Sequence, residues 1–301
     1  SAGVFAPPSD SWRAGPTVDT DADNNRGRHD SVLTAAAEIW SYRGLIGNLA
    51  QRELKAKYKK SVLGWVWSLV NPAATLLIYT IVFGTFLRIL PPVAGNGHLK
   101  SFALYLFAAL IVWNYFNATI TGAMAALLGS GPLIKKVYFP AECTVIANTL
   151  ATLLQAFIES LILSAVMVVF GNASPTFLFF PIILTFLVFF CLGVGLIASL
   201  INAYFRDVNY IVGIAMNLLF YATPIIYPLR IIPKNSGGLP ARTIISLNPL
   251  AKFVQAARDI FYLLKIPSFG SLAYIACWSI GTFLIGSAVF SRWARDVSEE
   301  L

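Results

Sequence analysis

Charged side chains are scarce in this chain: Asp, Glu, Lys and Arg make up 12% of 301 residues, while 57% are hydrophobic. Soluble domains carry roughly 25% charged residues, and so little charge could not cover so much apolar surface. A soluble fold is excluded. Three cysteines, Cys143, Cys191 and Cys277, lie in or beside apolar runs, and their odd number implies no disulfide framework. Two isolated histidines, His29 and His98, offer no metal site. Acidic residues number only fourteen, five of them within the first thirty residues. An embedded glycosyltransferase or phosphatase would need Asp, Glu or His clustered at one membrane face, and no such cluster is evident. The chain also has no G-x-x-x-x-G-K-[ST] loop and no Gly-Lys dipeptide, hence no cradle for ATP phosphates.

What the sequence does have is long apolar runs, and several exceed the ~18 residues that read as a membrane span. Six spans are expected, at about 66–89, 103–127, 144–170, 177–202, 209–229 and 269–290. At 1.5 Å per residue each could cross ~30 Å of hydrocarbon. The fold class is therefore an all-α polytopic membrane protein. Arg43, Arg52, Lys55, Lys57, Lys59 and Lys60 precede the first span, and Lys135 and Lys136 follow the second. Arg206 follows the fourth span, and Arg292 and Arg295 follow the sixth. Six spans put all of these on one side, which the positive-inside bias makes cytoplasmic, with both termini there. The segment 230–268 argues the other way, with six basic residues and Asp259 alone opposing them on the outer side. Residues 1–30 are polar and lack the apolar region of a signal peptide; they read as a disordered cytoplasmic tail, and 296–301 as a second, shorter one.

Residues 31–61 are expected to form a basic amphipathic helix rather than a span. Asp30 or Ser31 can cap it, Val32, Ala36, Ile39, Ile46 and Leu49 share one face, and Glu53 stands four residues before Lys57. Such a helix lies in the membrane interface, as an anchor or as part of a contact surface for a cytoplasmic partner. Between spans two and three lies the short charged island SGPLIKKVYFPAE, residues 130–142. Gly131 and Pro132 permit a tight turn, and Pro140 is suited to open the next helix. On residues alone, an ordinary charged turn remains open for this loop.

Aromatic residues make up 14% of the chain and fall partly on stripes. Tyr79, Phe83 and Phe86 share a face of span one with Leu76; Phe102, Tyr105, Trp113 and Phe116 share a face of span two with Ala109, and Tyr115 lies beside them. These stripes fit a pore lined with aromatic rings, or simple helix packing. Glu159, one turn after Gln155 in span three, must face the bundle or a wet cavity, whether as a lining residue or as a structural bond. Gln155, Asn114 and Asn117 pose the same choice. Arg206 and Asp207 could pair in a turn, or join Lys59 and Lys60 in a docking zone for an anionic headgroup. Asn248 and Pro249 read as N-cap and N1 of an external helix whose apolar face includes Phe253.

Three ordered blocks resemble the ABC-2 type permeases that export polysaccharides. They are QRELKAKYKKSVLGWVWSLVNPAATLLIYTIVFG at 51–84, LIKKVYFPAE at 133–142, and FYATPIIYPLRIIP at 220–233 followed by LNPLAKFVQAARD at 247–259. Within the first block the family's "S-x-L-G-x-x-W" is met by Ser61, Leu63, Gly64 and Trp67, with Pro72 in the following span. The resemblance covers about 31–295 and implies a type V exporter fold, with 62–295 as the six-span domain. It implies external re-entrant or cap helices within 231–267. It also implies a second copy of the chain and a dimer of a separate ATPase that carries ATP and Mg²⁺. Arg52, Lys55 and Lys57 would contact that ATPase, together with Leu133, Ile134, Lys135, Lys136, Val137, Tyr138, Phe139, Pro140 and Glu142. The channel would be lined by Tyr79, Phe83, Phe86, Tyr105, Trp113, Tyr115, Phe116 and Glu159. Asn248, Pro249 and Phe253 would close its outer mouth. The implied cargo is a polyprenyl-diphosphate-linked polysaccharide moved outward across the plasma membrane, in contact with membrane lipids and with no nucleic acid. Alternatives are an ABC-2 exporter of drugs or lipids, and an accessory subunit of a glycan synthase.

Overall fold

The computed structural model describes residues 39–58, 66–86, 88, 92–137, 139–232 and 241–300. Among them every regular element is helical: α1 (Arg43–Tyr58), α2 (Trp67–Tyr79), α3 (Phe102–Gly129), α4 (Gly131–Ile134), α5 (Glu142–Val169), α6 (Phe180–Tyr204), α7 (Val208–Ala222), α8 (Ala241–Ser246), α9 (Pro249–Phe261) and α10 (Phe269–Glu300). Four stretches are long and apolar enough to cross a membrane: Phe102–Gly129, Glu142–Val169, Pro175–Tyr204 and Phe269–Trp293. Two shorter apolar helical stretches, Pro72–Phe86 and Val208–Ala222, fall where spans one and five are expected.

Local chemistry sets several of these boundaries. Ser101 is extended and its Oγ accepts from Leu104 N at 3.4 Å, which starts α3. The α3 helix stops at Gly129, and Pro132 lies in the first turn of α4. Pro140 lies two residues ahead of α5 instead of at its first position, and its carbonyl accepts from Cys143 N at 3.0 Å. The α7 helix is shorter than the apolar run at 209–229 suggests. Thr223 is extended (φ −93°, ψ 136°) because a residue before proline is pushed out of the helical region by the ring of Pro224. In α2 the buried Pro72 sits inside the helix, and Thr80–Phe86 continues it as a wider π-helical turn. The last helix overruns the expected span at 269–290 and continues through Glu300.

Packing is centred on α3, which is buried almost all round and carries the main core with α5, α6 and α9. A second cluster, toward the other end of the bundle, joins Leu127 of α3, Val145 of α5, Leu200 of α6 and Phe290 of α10. The α10 helix lies on α6 with backbones in contact: a Cβ on Gly193 would overlap the Thr282 carbonyl, and one on Gly286 would overlap that of Gly193. Small residues let helices approach this closely where lipid offers no hydrophobic drive for association.

The connections sort to two ends. At one, Gly95 N donates to Tyr262 O (2.9 Å), Asn96 N to Asn172 Oδ1 (3.1 Å) and Asn172 Nδ2 to Phe261 O (3.0 Å). These bonds knot the segments before α3, after α5 and after α9. At the other end lie α1, the 130–141 connection, and the contact of Tyr204 with Trp293. Among the described residues, α3, α5 and α6 therefore run alternately between the two ends.

Candidate functional site

Three places carry polar or exposed chemistry: the end of the bundle bearing α1, a cleft midway along α3 and α5, and the α9 region. At the first, Ile46 and Leu49 of α1 are buried against Phe139, Cys143 and Ala147, with Ile39, Leu133 and Ile134 partly buried around them. Arg52 Nη2 donates to Ser130 Oγ at 3.3 Å and to Glu53 Oε1 at 3.4 Å. Glu53 thus meets Arg52, its neighbour; the Lys57 side chain lies outside the described residues. Of the expected apolar face, Ile39, Ile46 and Leu49 meet the 130–147 region, while Val32 and Ala36 lie outside the described residues.

The connection itself has two sides. Phe139 is 4% exposed, and Leu133 and Ile134 are half-buried toward α1. Lys135, Lys136 and Val137 point outward, and Lys55 on α1 is exposed as well. Pro140 and Glu142, the latter in the first turn of α5, are partly exposed. Tyr138, Lys59 and Lys60 lie outside the described residues. Arg206 is exposed between α6 and α7, beside exposed Asp207. The arrangement is a buried hydrophobic joint beneath an exposed cationic tip.

The aromatic stripe of α3 is packed inside the chain. Tyr105 (4% exposed), Trp113 (8%), Tyr115 (2%) and Phe116 (4%) are core residues in this structure. The Trp113 ring meets Phe220 edge-on at 5.2 Å, and Phe116 stacks on Phe190 at 5.8 Å. Tyr115 Oη donates to Thr149 O at 3.5 Å. On the first apolar segment Tyr79 is half-buried against the core and Phe86 is exposed; the Phe83 side chain lies outside the described residues. Packing, the other meaning such a stripe can have, accounts for α3.

Polar groups run along the seam between α3 and α5. Asn148 Nδ2 donates to Thr119 O (3.1 Å), Thr119 and Thr152 share a hydroxyl contact (3.0 Å), and Gln155 Nε2 donates to Glu159 Oε1 (3.0 Å). The seam opens into a small cleft of about 20 Å³, room for about one water, lined by Asn114, Tyr115, Thr152, Gln155 and Glu159, with Ala118 and Ala156.

In the α9 region Asn248 caps the helix, its Oδ1 accepting from Leu250 N at 2.9 Å, while its Nδ2 donates to Thr223 Oγ1 at 3.0 Å. Pro249 is partly exposed, but Phe253 is fully buried against Phe190 at 5.6 Å, so it faces the core here. A residue not singled out from the sequence dominates this region. Arg258 is fully buried, donates from Nη1 to Pro224 O at 2.6 Å and from Nη2 to Ile225 O, and lies 3.9 Å from the Tyr105 ring centroid. Burial lowers its pKa to about 10, so it stays charged at neutral pH. It ties the bend after α7 to α3. The signal was present: Arg258 sits between Val254 and Phe261 on the apolar face of α9, where a solvated arginine has no place. Asn172 was likewise missed.

Comparison with known proteins adds a name to this geometry. The description "ABC-2 type transporter" matches residues 45–262. An O-antigen export system permease protein RfbA of Myxococcus xanthus is 31% identical over 273 residues, covering 90% of this chain and all of that protein. One of the same name from Klebsiella pneumoniae is 28% identical, over 84% of this chain and 93% of its own length. The polysialic acid transport protein KpsM of Escherichia coli is 26% identical, over 79% and 89%.

Proposed function

Because this chain belongs to the ABC-2 type transporter family, we propose that it is the permease subunit of an exporter that moves a lipid-linked polysaccharide out across the plasma membrane. Two copies would form the channel, and two copies of a separate ATPase would drive it with ATP and Mg²⁺. The cargo class follows the names of the relatives, which are export or transport proteins for O-antigen and polysialic acid. A polyprenyl diphosphate is the lipid carrier in this proposal, and exposed Arg206 near the inner face suits its phosphates.

The observation that carries the mechanism is the joint of α1 with the 130–141 connection. In this scheme the chain crosses six times, with 67–86 and the α7 segment completing the four longer spans. The end bearing α1 faces the cytoplasm, as its lysines and arginines favour. The α1 helix lies along the inner interface, and the ATPase engages Arg52, Lys55, Lys135, Lys136 and Val137. Closure of the ATPase dimer on ATP pushes this tip. The buried contacts of Ile46 and Leu49 with Phe139 and Cys143 pass the displacement to the 130–141 connection and the start of α5. Close-packed joints transmit such motion because they do not compress.

Depletion of the chain tests the function. Surface polysaccharide should fall while its lipid-linked precursor accumulates on the cytoplasmic side. Unchanged surface glycan with accumulation of a small apolar compound would instead indicate export of drugs or lipids.

A further inference from the structure

We propose that Lys252, Tyr274 and Trp278 hold the phosphate headgroup of an anionic phospholipid, on the outer surface of α10 at the end of the bundle opposite α1. That end is the outer leaflet in the export scheme above, and only this sidedness rests on that scheme. Lys252 lies in the opening turn of α9, half-buried, and its Nζ stands 6.0 Å from the centroid of the Tyr274 ring. The ring is fixed from two sides: Tyr274 Oη donates to Leu247 O, and Trp278, one turn further along α10, lies against it at 6.3 Å. Trp278 is 43% exposed, and Ile285, seven residues on, is exposed on the same face. Gly281 falls between them, with open space where a side chain would stand. A cation and two amphipathic rings thus head an apolar strip with a notch in it. A phospholipid has the matching shape, a charged group above an apolar chain.

Depth and charge point the same way. Tyr274 is five residues into α10, about 7.5 Å from its start at 1.5 Å per residue, in the zone where tyrosine and tryptophan gather at a membrane boundary. A lysine ammonium at such a boundary needs a counter-charge. Among the described residues no carboxylate forms an ion pair with Lys252. Asp259 is the one acid of α9 and lies seven residues on, about 10 Å along the helix. It is already engaged: Gln255 Nε2 donates to its Oδ1 at 2.7 Å, and its charged neighbours are Lys265 and Arg258. A phosphate in the headgroup layer supplies the missing negative charge, and a lysine stem can lie along apolar surface while its head reaches that layer.

The test uses the full chain in nanodiscs of phosphatidylcholine with or without phosphatidylglycerol, released for native mass spectrometry. Wild type should retain phosphatidylglycerol several-fold over phosphatidylcholine, and phosphatidylglycerol should raise its melting temperature. Lys252→Gln should lose both effects and Lys252→Arg should keep them. Lys265→Gln, at an exposed lysine of the same end, should behave as wild type. Gly281→Leu should weaken retention several-fold by filling the notch. Equal retention of the two lipids by wild type, or undiminished retention in Lys252→Gln or Gly281→Leu, would overturn the proposal. Equal protection by inorganic phosphate would overturn it too, as would displacement by a polyprenyl diphosphate, which would mark a cargo subsite. Lipid retention is read without export, so failure of the export function and failure of this site are separate results.

Discussion

Arg258 shows how one side chain can hold an irregular stretch of backbone in an apolar setting. Pro224 breaks the helix at Thr223, and the carbonyls of Pro224 and Ile225 then need donors that lipid cannot supply. A planar fork with several N–H groups meets both at once, and the Tyr105 ring covers its face. Arg258→Met should cost about 2–4 kcal/mol by leaving buried carbonyls unpaired, seen as a lower melting temperature in detergent. Arg258→Lys should recover only part of it, because an ammonium cannot span both oxygens from one position. Phe139 makes a second residue-scale case. As a buried ring at the α1 joint, Phe139→Ala should cost about 3–5 kcal/mol and loosen α1, measured as faster amide exchange along Arg43–Tyr58.

At the scale of elements, the α6–α10 contact is set by two glycines. Gly286→Ala puts a methyl group into the Gly193 backbone and should destabilise the chain by about 1–3 kcal/mol. Gly281→Ala, on the same helix with open space around it, should leave the melting temperature unchanged. The start of α9 was legible beforehand because Asn-Pro is a local signal and the Asn248 cap is a local bond. The direction of the α3 aromatics was not. That helix is buried almost all round, so its aromatic spacing alone marks no inner face. Whether Trp113 meets Phe220, a lipid or a sugar depends on a partner more than a hundred residues away. The end of α7 shows the opposite error: apolar Ile225 and Ile226 extended the apparent span, while Pro224 had already ended the helix.

At the scale of the molecule, the alternating sides of the connections were readable from the apolar runs, while basic residues occur at both ends, in α1 and 135–136 at one and in 242–265 at the other. The number of crossings rests on the two shorter apolar helical stretches, Pro72–Phe86 and Val208–Ala222. The sequence left α1 open as a lipid anchor or as part of a partner surface; what the structure adds is its construction against the 130–141 connection: a buried apolar seat and an exposed basic tip. This separation makes the central claim testable without unfolding the chain. The most direct measurement is the amount of P-loop ATPase recovered with the tagged chain after gentle extraction from its native membranes. The exposed pair Lys135→Glu, Lys136→Glu should be compared with wild type at matched melting temperature. The account predicts stoichiometric ATPase with wild type and a large loss with the double variant. No ATPase with the wild-type chain, or a glycosyltransferase in its place, would contradict it.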